Sequence, residues 1–594
     1  MNNRRKLLSV KVRCALQSLF AVVMLKYTVS GGLRYMDAED LATKLLHGFS
    51  SHFVIDILLF AAVYRLLSLR GADKRRPDPW VLGTAVVLAV LYVIGLCCRE
   101  VGGYLILLAD LPRALMLLLC AAAHALVFYH LLRLLYDRME RPGAEEAAYS
   151  PSVVRGAAVI FLCWLPWLLM NYPCSFSLDS LWQLTQWIGV NDWSTQSPPL
   201  STAILGLCWS VGRALIDENF GAFLYCLLQA ICGALAFSFG LRELCRSGAS
   251  RRFYFTALLF YAAVPLWGLV AQCYFKDFLY AVAFTFVVSL LLPVLREKNC
   301  TTGQAAGICA ASLLALLLRG TCLLELLPPL AAFVFWLRGS ARRHLLAAVL
   351  AASAAFALIH CLLYPSLGIR SFPEKEILSL PFQQTASYCL SYPDEVTAEE
   401  REAIDAVLVY DQLDRYDPDC SDAIKNRYHG DSAALRAYLR VWSQMFLKHP
   451  GSYIETFFTN HWLDLTPVEP DLNVNIQSDY SYTVNAEKIG VHRVFGVMPT
   501  RLFVILREAF VQLPLVNILA SPGAYTWALW ICAVQLLRRQ REAVLFALPG
   551  LMNILACVLS PLNGSIRYEL PAAATLPMVI GWTVLCSRQK KKDA

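Results

Sequence analysis

Five ionisable side chains stand in stretches that are otherwise apolar or aromatic, and they are the natural starting point for chemistry. The first is Asp179, in the segment NYPCSFSLDSLWQLTQWIGVNDWSTQSPPL that runs from Asn171 to Leu200. It precedes an aromatic, amphipathic stretch (Leu181, Trp182, Leu184, Trp187, Ile188) whose tryptophans favour the headgroup region of a bilayer. A carboxylate at that depth can serve as a general base or ligate a divalent cation. It can also cap the helix that follows, and the two roles are compatible. The next two are Lys276 and Asp277, in QCYFKDFLY. An ion pair among apolar neighbours at the mouth of a membrane span is a functional candidate, with a snorkelling lysine as the plain alternative. Arg319 and Arg567, the latter in SPLNGSIRYELP, complete the set. With Lys276 they are three cations suited to a phosphate or pyrophosphate at a membrane surface, or to lipid headgroups.

The elements that position these residues follow from composition. The chain has 594 residues, of which 57% are hydrophobic and only 16% charged. Soluble domains carry about 25% charge. The charges cluster between apolar runs, many of them about 18–25 residues long, enough to cross a bilayer as helix. An all-α polytopic membrane protein is expected. A soluble enzyme, a disordered scaffold, a collagen-like fibre and a porin-type barrel are excluded. About fourteen spans are expected, near 11–31, 50–68, 80–98, 111–132, 154–171, 220–240, 253–271, 278–295, 303–318, 322–337, 343–364, 515–536, 543–560 and 569–586. The first is basic at its start, as a signal peptide would be, but lacks a small-residue cleavage site and reads as uncleaved.

Orientation follows from Lys and Arg in short loops. Basic clusters occur at the start of the chain, at 70–76, 242–252, 338–343 and 538–541, and at 588–592. Placing all of them in the cytoplasm requires that Pro199–Leu215 not cross, so this run is expected to lie on or dip into the outer surface. Both termini are then cytoplasmic. The net charge of +8 belongs to these loops and implies no nucleic-acid partner.

Four parts are expected: a four-helix extension (1–150), a transmembrane core (151–364) with a first external loop (172–219), an external, mainly helical domain (365–514), and three closing spans (515–594). In the external domain, Thr397-Ala398-Glu399-Glu400 is a capping-box signature. Ser432–Lys448 reads as an amphipathic helix stopped by His449-Pro450-Gly451, and 501–514 as an interfacial helix. Secondary candidates are weaker. Asp411, Asp414 and the run 416–422 are acidic but lack the Gly and closing Glu of an EF-hand loop. Cys389 and Cys420 are available to pair in an oxidising space. His124 and His360 lie within spans, where packing is the plain explanation.

The order of these features resembles the GT-C superfamily, polytopic glycosyltransferases that use polyprenyl- or dolichyl-phosphate sugars. Asp179 stands where that superfamily carries its first-loop Asp, Asp277 where it carries a second-loop Asp, and RYELP resembles an R-Y-x-x-P element near its last spans. YPCSFSLDSLWQ, the DW…PP segment, the KD loop, LPFQQTA and FLKHPGSYIETF resemble a closer, uncharacterised family of large membrane proteins from Gram-positive bacteria. The chain departs from the superfamily in having a lone Asp179 followed by Ser180, not an Asp-Glu pair, and Cys174 stands where the closer family has Gly. The resemblance implies an enzyme of a bacterial plasma membrane that moves a sugar from a polyprenyl-phosphate donor to an extracytoplasmic acceptor: a cell-envelope glycopolymer, lipid or protein. Asp179 and Asp277 would be catalytic, with or without Mg or Mn between them. Lys276, Arg319 and Arg567 would hold the donor phosphate. A transporter or lipid flippase and a glycopolymer polymerase or ligase remain the alternatives, beside a non-catalytic assembly partner.

Overall fold

A computed structural model describes residues 2–29, 33, 53–69, 77–142, 149–371, 377–470, 489–492, 497–560 and 562–589. The described chain is almost wholly helical; its two strands are two residues long each. Each of the fourteen expected apolar runs overlaps a helix. Among the described residues seven helices are long and apolar enough to cross a membrane: Pro79–Val101, Leu111–Met139, Val153–Met170, Glu218–Arg246, Lys276–Glu297, Gly339–Ser366 and Ile566–Gln589. An eighth is counted if Arg251–Ala263 and Pro265–Ala271 form one span, bent by 49°. The bend sits at Pro265, which has no N–H to continue the ladder. Thr302–Leu318, Cys322–Trp336 and Leu548–Val558 are apolar but shorter. The protein is an all-α membrane protein. The basic cluster at 70–76 lies outside the described residues.

The chain divides into two compact units. One comprises Met1–Arg141, Lys375–Val468 and Leu559–Asn563, so the segment 375–468 groups with the leading helices. Within it the Pro450–Leu465 helix packs along Pro79–Val101, where Gly95 lets Thr466 approach closely. Glu455 accepts the backbone N–H groups of Tyr104 and Leu105 at 2.7 and 2.6 Å. A core of Phe382, Tyr388, Ile404, Leu408, Tyr438 and Met445 closes the helices of 379–448 on one another. Thr397 and Glu400 form the expected capping box, and Ser432–Lys448 is a helix with Asp431 as its N-cap. Pro450 does not end the helical region. It begins the Pro450–Leu465 helix, at the first position, where its missing N–H costs nothing. Cys389 and Cys420 are both free thiols. His124 bonds the Cys120 carbonyl and lies 5.1 Å from the Tyr92 ring, and His360 sits between Phe356 and Tyr364.

The other unit comprises Pro142–Glu374, Glu469–Val558 and Gly564–Ala594. Its centre is the Lys276–Glu297 helix, which packs on Glu218–Arg246, Thr302–Leu318 and Ile566–Gln589. The expected surface helix at Pro199–Leu215 has those bounds. It turns back on Glu218–Arg246 where Gly212 meets Gly221, and a Cβ on either glycine would overlap the other helix's backbone.

Candidate functional site

The first-loop helix, Leu178–Trp187, is started by Ser177 rather than by Asp179. Ser177 Oγ accepts the Ser180 N–H at 3.2 Å, and Ser180 Oγ accepts the Ser177 N–H at 3.0 Å. This reciprocal box satisfies the helix end. Asp179, inside the first turn, is therefore not the N-cap that its position in the sequence allowed. The helix is fastened to Pro199–Leu215 by Gln183, which donates to Ser201 and Thr202, and by Trp187. The Trp187 ring lies over Gly206, and its N–H bonds Ser210 at 2.8 Å.

Just upstream, Ser175–Phe176 pairs in parallel with Cys273–Tyr274. Two residues of strand are a weak clamp alone, and side chains reinforce it. Asn171 donates to Ser175 Oγ at 2.6 Å and to the Gln272 side chain at 2.9 Å. Gln229 donates to the Ala271 and Cys273 carbonyls, and Tyr225 to that of Phe275. All of these groups are buried, so each bond matches a polar atom that would otherwise be costly. The pairing sets the first loop beside the KD loop and so brings Asp179 to Lys276.

All five residues singled out in the sequence meet there. Asp179 Oδ2 lies 3.0 Å from Arg567 Nη2 and 3.5 Å from Lys276 Nζ. Asp277 Oδ1 lies 3.4 Å from Arg319 Nη1, and its Oδ2 lies 3.8 Å from Arg567 Nε. Arg567 thus reaches both carboxylates. Three cations face these two carboxylates, and a third carboxyl, that of Glu325, lies buried beside Arg319. Lys276 and Arg567 both lie in the first turns of long helices, Lys276–Glu297 and Ile566–Gln589, whose N-terminal ends favour anions. Phe275, ahead of the former, gives no side-chain cap. Asp277 and Arg567 are nearly inaccessible, at 2% and 6% side-chain exposure, whereas Asp179 is at 44%. Asp179 is the member that solvent or a ligand meets first. The Lys276 ammonium, and with it the Arg567 guanidinium, holds the Asp179 carboxyl well below the usual carboxylate range against the opposing effect of burial.

Residues not singled out in the sequence complete the site. Tyr568 lies under both arginines, 4.6 Å from Arg319 and 4.8 Å from Arg567 to the ring centre, and its hydroxyl accepts from Arg567 at 2.8 Å. Tyr280 is the second ring beneath Arg319 and donates to Glu325 at 2.7 Å. Glu325, wholly buried, also accepts from Thr321 and from Asn553 at 2.8 Å. Asn553 in turn repairs the first turns of the Ile566–Gln589 helix, which Pro571 opens. It accepts the Ala572 N–H at 3.1 Å and donates to the Tyr568 carbonyl at 3.0 Å, standing in for the bond those two groups would make together. The arginine–tyrosine turn is thus braced from below. A carboxylate in the apolar run CLLELLPPL was the signal available for Glu325.

The donor set does not suit a divalent cation between Asp179 and Asp277. Both carboxylates already face guanidinium or ammonium groups, and three positive charges would repel the ion. Among the described residues no group of three or more His, Cys, Asp or Glu side chains is placed to hold a metal. The arrangement suits an anion: Lys276 and Arg567 converge on the one accessible carboxylate, that of Asp179.

No curated protein matches the chain, and no solved structure does. Residues 192–594 match a family of unknown function, DUF6020, and that stretch carries Lys276, Asp277, Arg319 and Arg567, with Asp179 just ahead of it. With well over half of its length inside the match, the chain belongs to the DUF6020 family.

Proposed function

We propose that the protein is a membrane glycosyltransferase of the GT-C kind, taking a sugar from a polyprenyl-phosphate donor to an acceptor outside the cytoplasm. The observation that carries this reading is the cluster of Lys276, Arg319 and Arg567 around Asp179 and Asp277 at the starts of two apolar helices. A phosphate on a lipid tail enters such a place from the bilayer. Its charge meets three fixed cations, and departure of the phosphate from the sugar needs chiefly positioning and charge stabilisation. Asp179 orients or deprotonates the acceptor hydroxyl, and Asp277 holds the two arginines. On this reading all fourteen apolar runs cross a bacterial plasma membrane. Arg246, Arg296 and Arg588, at the far ends of the three helices that meet near the cluster, mark the cytoplasmic side.

The decisive experiment is sugar transfer by the purified protein from radiolabelled polyprenyl-phosphate sugars. Lys276→Ala and Arg319→Ala are each expected to weaken donor binding about ten- to a hundredfold, the weight of a hydrogen bond to a charged group. Normal donor use by both variants would place the phosphate elsewhere. Orientation is checked separately. In a background without reactive native thiols, cysteines at 195 and near 430 are expected to label from outside intact cells, and one at 248 is not. Outside labelling at 248 would put Pro199–Leu215 across the membrane and the cluster on the wrong face.

A further inference from the structure

We propose that Asp179 occupies the place of the substrate's phosphate in the ligand-free protein, and that a singly charged phosphodiester enters by displacing its carboxylate from Lys276 and Arg567. The inference rests on the phosphate-binding reading above and adds how that site is kept and opened. Three observations carry it. One oxygen, Asp179 Oδ2, is shared by the two cations, 3.0 Å from one and 3.5 Å from the other, as a phosphate oxygen would be. Asp179 is the accessible member of the cluster, whereas Asp277 is sealed beneath it and already held by Arg319. Its helix is capped by Ser177 and Ser180, so the carboxylate can swing away without undoing the helix end.

The exchange conserves the charge in contact with Lys276 and Arg567: the carboxylate turns away from them and one phosphodiester monoanion takes its contacts, so these cations never stand unmatched, a state that is costly where water is scarce. A pyrophosphate linkage would bring at least one further negative charge beside Asp277. The site therefore selects lipid monophosphate sugars over lipid pyrophosphate sugars. The exchange also times the chemistry. While ion-paired, Asp179 is held as a poor base. Released by the incoming phosphate, it regains ordinary basicity beside the bond to be broken, so base and donor become ready together.

The test is equilibrium binding of a farnesyl methyl phosphodiester to the purified full-length protein in detergent. Asp179→Asn and Asp179→Ala remove the competing charge and are expected to bind this probe about tenfold tighter or more, while Lys276→Ala binds it more weakly. Unchanged or weaker binding by the folded Asp179 variants, with Lys276→Ala still weakened, would overturn the exchange and leave the phosphate site standing. Binding unaffected in Lys276→Ala, Arg319→Ala and Arg567→Ala alike would remove the phosphate site, and the exchange with it. Wild-type protein is further expected to bind the phosphodiester in preference to farnesyl pyrophosphate. The reverse preference would sink the monoanion selection.

Discussion

Arg567→Ala is expected to be the most damaging single substitution in the cluster, reducing sugar transfer by more than about a hundredfold and lowering the unfolding temperature. Among the described residues Arg567 alone reaches both carboxylates, and its hydrogen bond and ring contact with Tyr568 fix the turn in which it sits. Without it, Asp277 keeps only Arg319 and remains buried. Breaking a buried pair costs on the order of 3–5 kcal/mol when the other charge is left unpaired; here Arg319 stays with Asp277, so the loss of stability falls below that. Arg567→Lys separates charge from geometry. An ammonium restores one positive charge but not the fork that serves two carboxylates and a tyrosine hydroxyl. It should recover part of the stability and little of the transfer. Thermal unfolding in detergent, measured beside the transfer assay, checks both. An alanine variant as stable and active as the wild type would deny Arg567 any part in the site.

Asp179→Asn is expected to reduce transfer by at least about a hundredfold, the lower end for loss of a general base, in a protein that still inserts and folds. Asparagine keeps the size, and the helix end does not depend on it, since Ser177 and Ser180 satisfy the first turn. Lys276 and Arg567 lose a partner but keep an outlet. Lys276 is partly accessible, and Arg567 retains Asp277 and Tyr568. A low transfer rate together with tight probe binding is a combination that misfolding does not produce. Full activity in a folded Asn variant would remove Asp179 from the chemistry, and the transporter alternative would then lead.

Much of the fold could be read from residue order because apolar length and capping chemistry are local. The Thr397 box and the bounds of Pro199–Leu215 and Ser432–Lys448 follow from a few neighbouring residues. The five charged members of the site were legible one by one, since each is out of place among apolar neighbours. Their meeting was not legible. It depends on a two-residue strand pairing and on Asn171, Gln229 and Gln272, ordinary polar residues whose partners lie some forty to a hundred positions away. The cap of the first-loop helix is not decided by residue order, because Ser177 and Asp179 are both good N-caps and only geometry chooses between them. Glu325 and Asn553 act through a tyrosine and a proline-opened turn, relations that no spacing rule encodes.

The parallel pairing of Ser175–Phe176 with Cys273–Tyr274 also orders events in time. The first loop is synthesised well before its partner strand, and Arg567 follows much later still. At ~5–20 residues per second, the interval between Asp179 and Arg567 is on the order of half a minute. Until the Ile566–Gln589 helix docks, Asp277 has Arg319 but lacks its second cation, and Asp179 has only Lys276. Docking of that helix is thus rewarded by the neutralisation of charges laid down earlier, and the cluster becomes electrostatically whole only when the core is complete. On the proposed reading, a nascent protein cannot begin chemistry on lipid-borne substrates before its own assembly is finished.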